Sequence, residues 1–418
     1  MSPSAPLDIV IVGNGAAGTT CAEHIRKLSP TARITLFGDE TFPLYNRVAL
    51  PPMLKERIPE ARVMLRDLAW HDRMDISLEL ACRVNSIDRE ARTVLDDKGR
   101  THRYDRLLLA TGGRPLPLDL PGADKARNLY RFQDLLDTRR LMVDSQPGRT
   151  AVVCGGSFIS YELAEALMER GCTVHWLIRG SHFLRRVLHP EGGAIVDEIA
   201  RSHGVHMHYG VEIAALELEE DRCTRVRLTD GQVLECDLVA LGIGLGLNTE
   251  LAREAGLAVR KGIVVDGSLR TEDPAIYAAG DVAEFEDIWI GGPNLMGTWN
   301  NALGHGKVVA RHMLGEEVSY EEIPEYTTGM FHQKMTAFGV TPESVPGVSS
   351  TWRANHEAES FRQLFFLEGR LVGGVLIGAD TSERKAYKEI IRSREVHDAA
   401  AREALLDPRP KAASAGRG

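Results

Sequence analysis

The chain has 418 residues, 43% of them hydrophobic and 26% charged, with a formal net charge of −9. This length and balance predict a globular protein of two or three domains. The acidic charge argues against a general nucleic-acid or membrane-surface role, and no apolar run reaches the roughly 18 residues of a membrane span.

The N-terminal segment carries a dinucleotide-binding pattern. In DIVIVGNGAAGTTCAEHIRKL, an apolar strand precedes Gly13, Gly15 and Gly18, and Ala16 and Ala17 separate the last two glycines. The first glycine permits a tight turn, the second lets the backbone approach a pyrophosphate, and the third lets helix and strand pack closely. Because this apolar run has no basic region before it, we interpret it as a core strand and expect no signal peptide.

A second strand, RITLF, is followed directly by Asp39 and Glu40. An acid at this point is placed to accept the adenosine ribose hydroxyls. Strand, turn, helix, strand and acid in this order form a specific combination. We therefore predict a bound dinucleotide at the first turn.

A second copy of the unit begins at residue 149 with RTAVVCGGSFISYELAEALMERGCTVHWLIR. Its turn carries serines at the second and third glycine positions and consists of Gly155, Gly156, Ser157, Phe158, Ile159 and Ser160. The side chain of Ser157 intrudes where the backbone should meet a pyrophosphate, although its hydroxyl could donate to a phosphate oxygen. We interpret the turn as a modified nucleotide site; a site that has lost its ligand is the alternative.

Arginines follow the second unit where an NAD site would carry an acid. The run LIRGSHFLRR contains Arg179, Arg185 and Arg186 and no acid. Each charge-assisted contact with a 2′-phosphate contributes about 1.5–3 kcal/mol, so Arg179 and Arg185 predict a preference for NADPH. Arginines on a solvated loop are the alternative. Gly242, after a later apolar strand, is assigned to the same site.

The cysteines and histidines show no metal-binding spacing. Six cysteines without a CxxC pair predict a reduced cytoplasmic protein with structural thiols. In HGVHMHYG, His206 and His208 share one face of a predicted strand, but no acid or cysteine completes a ligand set. We therefore predict no metal site.

Three later segments complete a pattern. They are YDRLLLATGGRP (104–115), TEDPAIYAAGDVAE (271–284) and TWNNALGHGKVVARHMLG (298–315). With the two turns, they resemble the two-dinucleotide flavoprotein family that includes glutathione reductase, NADH oxidases, rubredoxin reductases and the flavin portion of assimilatory nitrite reductases. The resemblance implies FAD at the first turn and a nicotinamide nucleotide at the second. Besides the first turn and its acids, it assigns FAD contacts to Arg47, Ala110, Thr111, Gly112, Gly280, Asp281 and Trp299.

The resemblance also implies a fold class and a domain plan. We expect an α/β protein with two Rossmann-like, glutathione reductase-type three-layer domains and a small α+β C-terminal domain. The FAD domain would comprise 1–118 and 245–318, interrupted by an NAD(P) domain at 119–244. The C-terminal domain would occupy 319–398, and 399–418 would be a disordered tail.

One departure from the family affects the chemistry. Disulfide and peroxide reductases carry a redox cysteine after the ribose acid, whereas TFPLYNRVALPPML (41–54) contains none. Thiol chemistry by that route is excluded, because the thiolate is its nucleophile. The segment resembles that of rubredoxin and nitrite reductases, which places Arg47 near the flavin. Pro51 and Pro52 stand near the position where oxygenase-coupled ferredoxin reductases tend to have a lysine.

Glu162 is the candidate catalytic residue, since it matches a family glutamate near the flavin and nicotinamide. The alternative is an ordinary glutamate in the first turn of a helix, stabilised there by the helix dipole.

The implied activity is hydride transfer from NAD(P)H, with NADPH preferred, to FAD, followed by electron transfer to an iron–sulfur or rubredoxin-type carrier, a complex subunit or a small acceptor. The alternatives are a non-catalytic or sensor subunit, and a ferredoxin-to-NADP enzyme working in reverse. A homodimer is compatible with the resemblance. In ERKAYKEIIRSR, the stripe Arg384, Lys388 and Arg392 predicts steering of an acidic carrier, with a solvated face as the alternative.

Overall fold

The computed structural model describes residues 6–407 of the chain. Among them, no helix combines the length and the apolar character needed to cross a membrane. The strands are, in chain order, β1 (Asp8–Val12), β2 (Arg33–Phe37), β3 (Ile76–Glu79), β4 (Val84–Asp88), β5 (Thr93–Asp96), β6 (Thr101–Arg103), β7 (Arg106–Leu109), β8 (Gly113–Pro115), β9 (Leu129–Arg131), β10 (Thr150–Cys154), β11 (Thr173–Ile178), β12 (His206–Tyr209), β13 (Ile213–Glu219), β14 (Arg222–Leu228), β15 (Val233–Glu235), β16 (Leu238–Leu241), β17 (Leu245–Leu247), β18 (Ile263–Val265), β19 (Ile276–Ala278), β20 (Ala283–Asp287), β21 (Gly292–Asn294), β22 (Glu325–Met330), β23 (Gln333–Gly339), β24 (Ser349–Asn355), β25 (Ser360–Leu367) and β26 (Arg370–Gly378).

The helices, in chain order, are α1 (Ala16–Leu28), α2 (Leu50–Leu54), α3 (Leu68–Arg73), α4 (Leu135–Asp144), α5 (Phe158–Glu169), α6 (Pro190–Ser202), α7 (Glu250–Glu254), α8 (Trp299–Met313), α9 (Arg384–Ser393) and α10 (Ala399–Ala404). Short 3₁₀ turns lie at Arg47–Ala49, Glu60–Arg62 and Gly280–Val282.

The first large sheet is parallel, with the strand order β19-β7-β1-β2-β3. Its central strands are buried on both faces, as the apolar runs DIVIV and RLLL require. Because the strands are parallel, the chain leaves β1, β7 and β19 at one edge of the sheet. Gly13, Ala110 and Gly280 therefore lie close together at that edge.

The second large sheet repeats this plan with the order β12-β11-β10-β16-β9, again all parallel. Its carboxyl edge brings together Gly155, Arg179 and Gly242, which follow β10, β11 and β16. In each sheet the strand order reverses beside the first strand of the unit, at β1 and at β10. α/β proteins bind ligands at the carboxyl ends of the strands at such a topological switch point.

The third large sheet is antiparallel, with the order β22-β23-β26-β25-β24. Helix α9 packs on it through Tyr387 and Ile391, and Leu405 and Leu406 after α10 are buried in the same apolar cluster. The prediction of a disordered tail from residue 399 is therefore wrong for 399–407, because an apolar pair anchors this segment. Residues 408–418 lie outside the described residues.

The three large sheets draw their strands from the three ranges predicted as separate domains. The small pair β8–β17 joins the two points where the chain leaves and re-enters the FAD range. Gly306 lets α8 approach α1 closely, since a Cβ there would lie 2.5 Å from the Ala17 carbonyl oxygen. This contact holds the Gly280–Asp281 segment against the first turn.

Candidate functional site

The first turn is sterically restricted at Gly13 and Gly18 and open at Gly15. Gly13 has φ +116°, and a Cβ on it would lie 2.1 Å from the Ala110 carbonyl oxygen. A Cβ on Gly18 would lie 1.9 Å from the Gly13 carbonyl oxygen, whereas one on Gly15 would meet nothing within 4 Å. Gly15 is the N-cap of α1 and gives no side-chain cap, so amide donors of the first helical turn face an open cradle.

The two acids after β2 have different surroundings. Asp39 has an exposed side chain and pairs with Arg83 at 3.2 Å. Glu40 is half-buried, accepts a hydrogen bond of 2.6 Å from the Tyr45 hydroxyl and forms an ion pair with Arg47. The structure therefore brings Arg47 to one of the predicted ribose acids, and its guanidinium also donates to the Gln133 carbonyl oxygen at 2.7 Å.

The segment after β7 is held by a reciprocal pair of hydrogen bonds. The Thr111 hydroxyl donates to the Asn248 carbonyl oxygen at 2.7 Å, and the Asn248 amide donates to the Thr111 carbonyl oxygen at 2.8 Å. Gly112 has φ +61° and open space where a Cβ would stand. The Thr111 side chain thus fixes the backbone here, and Gly112 leaves room beside the first turn.

Asp281 follows β19, at the same edge of the sheet as the first turn. Gly280 has φ +77°, and its missing Cβ faces Ala17 at 3.3 Å and Ala302 at 3.8 Å. Burial raises the pKa of Asp281, and the charge of Arg47 opposes this rise. Trp299 begins α8 beside this segment. An FAD molecule fits these residues, because Gly15 and Gly112 leave open space at the first turn and the desolvated carboxyl of Asp281 interacts with the charge of Arg47.

The second turn has a similar glycine conformation, and its two serines form reciprocal hydrogen bonds. Gly155 has φ +125°, and a Cβ on it would lie 2.2 Å from the Gly242 carbonyl oxygen. Ser157 is the N-cap of α5 and accepts from the Ser160 amide, while the Ser160 hydroxyl accepts from the Ser157 amide at 2.9 Å. The Ser157 hydroxyl itself donates to the Gly242 carbonyl oxygen at 2.7 Å. The suggestion that this hydroxyl donates to a phosphate is therefore wrong for this conformation.

The two turns differ in which of two facing residues carries a Cβ. The first turn has Gly18 and Ala110, whereas the second has Ser160 and Gly242. A Cβ on Gly242 would lie 2.5 Å from the Ser160 amide nitrogen and 2.8 Å from its Cβ. Gly242 thus makes the room that Ser160 occupies, and the third-position serine needs no change of the strand–turn–helix path.

The predicted arginines line a cavity of about 590 Å³ together with Gly155, Gly156, Ser157 and Gly242. Arg185 packs over Gly180, where a Cβ would lie 2.3 Å from its Cδ. Three acids from distant segments also line the cavity: Asp119, Glu212, which pairs with Arg179 at 3.4 Å, and Glu343, which pairs with Arg186 at 3.0 Å. The sequence run contains no acid, but the cavity does, because the segment after β8, the loop between β12 and β13 and the C-terminal domain supply them.

Glu162 connects α5 to the C-terminal sheet. It is 8% exposed and accepts hydrogen bonds from the Tyr326 hydroxyl at 2.5 Å and the Thr328 hydroxyl at 2.9 Å. Burial raises its pKa, and the two hydroxyls oppose the rise. The Tyr326 ring also packs edge-on against Phe158 of the second turn, with centroids 4.9 Å apart.

A buried ion pair lies one helical turn further along α5. Lys55 binds Glu165 at 2.5 Å, with side chains 7% and 2% exposed, and Glu169 at 3.5 Å. Sequence reasoning missed Lys55, Tyr326 and Thr328. A lysine three residues beyond Pro52 was the only available signal, while the two hydroxyls come from a strand more than 160 residues away from Glu162.

The basic stripe on α9 is not free. Arg384 and Lys388 both pair with Glu325, at 3.5 and 3.3 Å, and Arg392 pairs with Glu389 at 2.5 Å. The side chains of Arg384 and Lys388 are only 24% and 16% exposed. The prediction of an exposed basic surface on α9 is therefore wrong for Arg384 and Lys388, because Glu325 on β22 pairs with both.

The histidine cluster is larger than the sequence indicated. His175 on β11 lies opposite His206 on β12, and its Nδ1 is 3.1 Å from Nε2 of His208. Burial and the two neighbouring imidazoles lower the pKa of His175 to about 4. All six cysteines are buried, and the sulfur atoms of Cys223 and Cys236 are 3.9 Å apart.

Comparisons with known proteins identify the family of the chain. The family model described as pyridine nucleotide-disulphide oxidoreductase matches residues 7–306. The chain is 30% identical over 393 residues to the nitrite reductase [NAD(P)H] of Bacillus subtilis, covering 93% of this chain and 48% of that protein. It is 32% identical over 403 residues to the putidaredoxin reductase of Pseudomonas putida, covering 93% and 92%.

Among solved structures, the covalent putidaredoxin reductase–putidaredoxin complex matches with a TM-score of 0.90 and 28% identity, covering 97% of this chain and 96% of that one. The predicted α/β fold class is thereby confirmed. The chain spans about half the length, 48% and 51%, of two Bacillus subtilis relatives, the nitrite reductase and the assimilatory nitrate reductase electron transfer subunit.

Proposed function

Because the chain belongs to the pyridine nucleotide-disulphide oxidoreductase family, we propose that it is an FAD-dependent reductase that takes a hydride from NAD(P)H and passes electrons to a small iron–sulfur or rubredoxin-type protein. The observation that carries the proposal is the pair of dinucleotide turns, one at each of two parallel sheets, in a chain without a cysteine in 41–54. Putidaredoxin reductase, a relative that matches over nearly its whole length, is named for such a carrier.

In this proposal, FAD supplies the conversion of a two-electron hydride into single electrons. The chain's own residues bind and orient. The amides at the start of α1 face the pyrophosphate, and Glu40 or Asp39 accepts the ribose hydroxyls. Arg47 and Asp281 interact electrostatically and set the charge of the site. No thiol takes part in this proposal, since residues 41–54 contain no cysteine and all six cysteines are buried.

We assign Glu162 to the nicotinamide end of the second ligand. The Tyr326 and Thr328 hydroxyls fix its carboxylate, and Phe158 of the second turn packs edge-on against Tyr326. A buried carboxylate with a raised pKa can accept a hydrogen bond from an amide or hold a proton. The burial of Glu162 and its two hydroxyl partners support this assignment.

Anaerobic mixing with NADPH or NADH tests the reductase reading. Flavin absorbance should bleach rapidly, and a [2Fe–2S] ferredoxin added afterwards should be reduced while the flavin reoxidises. Purified protein without FAD would contradict the whole proposal. Flavin that neither nucleotide bleaches would instead support the alternative, an FAD-binding subunit with a decayed nucleotide site.

We also propose that NADPH is preferred, through Arg179 and Arg185, with Glu212 limiting the preference. Arg185 pairs with no acid within the described residues 6–407, so its charge is available, whereas Arg179 is partly compensated by Glu212. A carboxylate in the same cavity also offers an acceptor for the ribose hydroxyls of NADH. The cavity thus contains both a cation for the 2′-phosphate and an acid for the free ribose.

Substitutions at these positions test the preference. R179A/R185A should raise the Michaelis constant for NADPH by about tenfold or more and leave that for NADH nearly unchanged. E212Q should shift the ratio of kcat/KM values toward NADPH. R227A, on β14 and paired with Glu217, is the matched control and should change neither. Wild-type protein that prefers NADH would contradict the role of the arginines.

A further inference from the structure

Three imidazoles share one face of the second parallel sheet. β12 is its edge strand and carries His206 and His208 two residues apart, so both side chains point to the same side. His175 on the neighbouring strand β11 is in register with His206. Sequence analysis found only two of the three, because the pairing of β11 with β12 supplies the third.

The ring atoms of two of them converge. Nδ1 of His175 lies 3.1 Å from Nε2 of His208, and the centroids of these rings are 5.3 Å apart. The ring of His206 is exposed and stacks on that of His175, with centroids 4.9 Å apart, but the three rings do not present one nitrogen each within 4.8 Å of one another. Imidazole nitrogens bind Zn²⁺ at about 2.0–2.1 Å, which separates two tetrahedral ligands by roughly 3.3 Å.

We propose that His175 and His208 chelate a divalent transition-metal ion of the Zn²⁺, Cu²⁺ or Ni²⁺ type, with water completing the coordination and the neighbouring His206 reaching the ion only through a change of rotamer. The observed separation of the two nitrogens fits ligands of one ion, and imidazole is a ligand common to these metals. The alternative use of the same contact is a single hydrogen bond between two neutral rings.

The location suggests what such an ion does. The chain continues from β11 to Arg179 and from β12 to Glu212, the ion pair that lines the nucleotide cavity. An ion held between β11 and β12 would fasten the edge strand to the sheet near these two side chains. It would act as a structural clip and take no part in electron transfer.

Calorimetric titration of tag-free, flavin-loaded, chelator-treated protein with Zn²⁺ tests the proposal. One ion per chain should bind with a micromolar dissociation constant, and the melting temperature should rise. H175A and H208A should each weaken binding by about tenfold or more, and H206A should weaken it less. With Cu²⁺, electron paramagnetic resonance should show nitrogen coupling that decreases in H208A.

The chain provides its own control. His24 on α1 has its Nδ1 3.0 Å from the Thr20 carbonyl oxygen and is no part of the cluster. H24A should keep the Zn²⁺ affinity of the wild type. H208Q serves as a second variant if H208A fails to fold, as judged by flavin content. The absence of binding at micromolar Zn²⁺, or binding that survives H175A and H208Q, would overturn the proposal.

Discussion

The first and second turns share one steric requirement and differ in their hydrogen bonds. At both, a Cβ on the first glycine would lie within 2.2 Å of a carbonyl oxygen on the neighbouring strand, that of Ala110 or Gly242. At the first turn the second glycine leaves open space. At the second turn, Ser157 fills that position and joins helix, turn and strand through its hydroxyl.

The contacts that surround the helix differ as well. At the first turn, α1 lies so close to Gly13 that only a glycine fits at residue 18. At the second, the Trp176 indole donates to the Gly155 carbonyl oxygen at 2.8 Å, and α5 lies against Gly242 instead. The comparison shows that a GxGxxG turn can lose two glycines and keep its backbone, provided that the neighbouring strand gives up a Cβ.

The largest effects are expected at the shared glycines. G13A should abolish FAD binding and lower the free energy of unfolding by about 3 kcal/mol or more, because both φ and space forbid a Cβ. G155A should cost a similar amount but leave FAD bound and remove nucleotide reduction. Flavin content and urea unfolding measure the two results.

G99A is the matched control for these two variants. Gly99 also has a positive φ, of +78°, but open space where a Cβ would stand, so about 1 kcal/mol is expected and FAD should stay bound. Full flavin content in G13A would show that the first turn does not hold the cofactor.

The next effect tests whether Ser160 fits only because residue 242 has no Cβ. G242A should lower the free energy of unfolding by about 1–3 kcal/mol and weaken nucleotide binding, because the new Cβ overlaps Ser160. Adding S160G should restore at least half of the loss, since the second turn then has the small residue of the first. The double-mutant cycle gives this coupling directly. Additive losses would contradict this coupling.

A smaller effect concerns the buried acid that only the second unit carries. The equivalent position on α1 is Thr20, whereas α5 has Glu162. Because burial raises the pKa of Glu162 above its usual 4.5, the folded protein binds this proton more tightly than the unfolded chain. The free energy of unfolding should therefore fall as pH rises from 4.5 through the raised pKa.

E162Q removes this titration and keeps oxygen acceptors for Tyr326 and Thr328. Its free energy of unfolding should vary less with pH than that of the wild type over the same window. E254Q changes an exposed carboxyl on α7 and should leave the wild-type slope intact. An unchanged slope in E162Q would mean that Glu162 does not bind the proton.

Local sequence determined much of this fold. Both parallel units, the strand before Gly280 and the helix that begins at Trp299 were predictable, because apolar runs and glycine spacing are local signals. The same local signals identified the family, which the comparisons confirm. The predicted individual site residues remain predictions, although the first turn and its cradle lie together as expected.

The contacts missing from the sequence analysis all join distant segments. Glu212 and Glu343 neutralise arginines that the sequence presents as a cationic run, Glu325 neutralises the stripe on α9, and His175 completes the histidine face. Side chains that meet through strand pairing or domain packing leave no pattern in a short window. The sequence therefore overestimates the free positive charge of its basic runs, whereas it predicts the backbone turns well.

The smallest effect tests the cap itself. S157A removes one acceptor for the Ser160 amide and one donor to Gly242, which should cost about 1 kcal/mol. S157G restores the residue of the first turn and should cost only a few tenths of a kcal/mol. Because the Ser157 hydroxyl is engaged within the protein, neither variant should weaken nucleotide binding.

S157G frees the Ser160 amide and opens the turn, so it should bind NADPH more tightly than the wild type, as measured by titration of flavin-loaded protein. The reverse exchange, G15S, should weaken FAD binding, because it fills the space that the first turn keeps open. If S157G instead loses affinity, the hydroxyl contacts the phosphate after all, and the second turn binds its ligand by a different set of donors from the first.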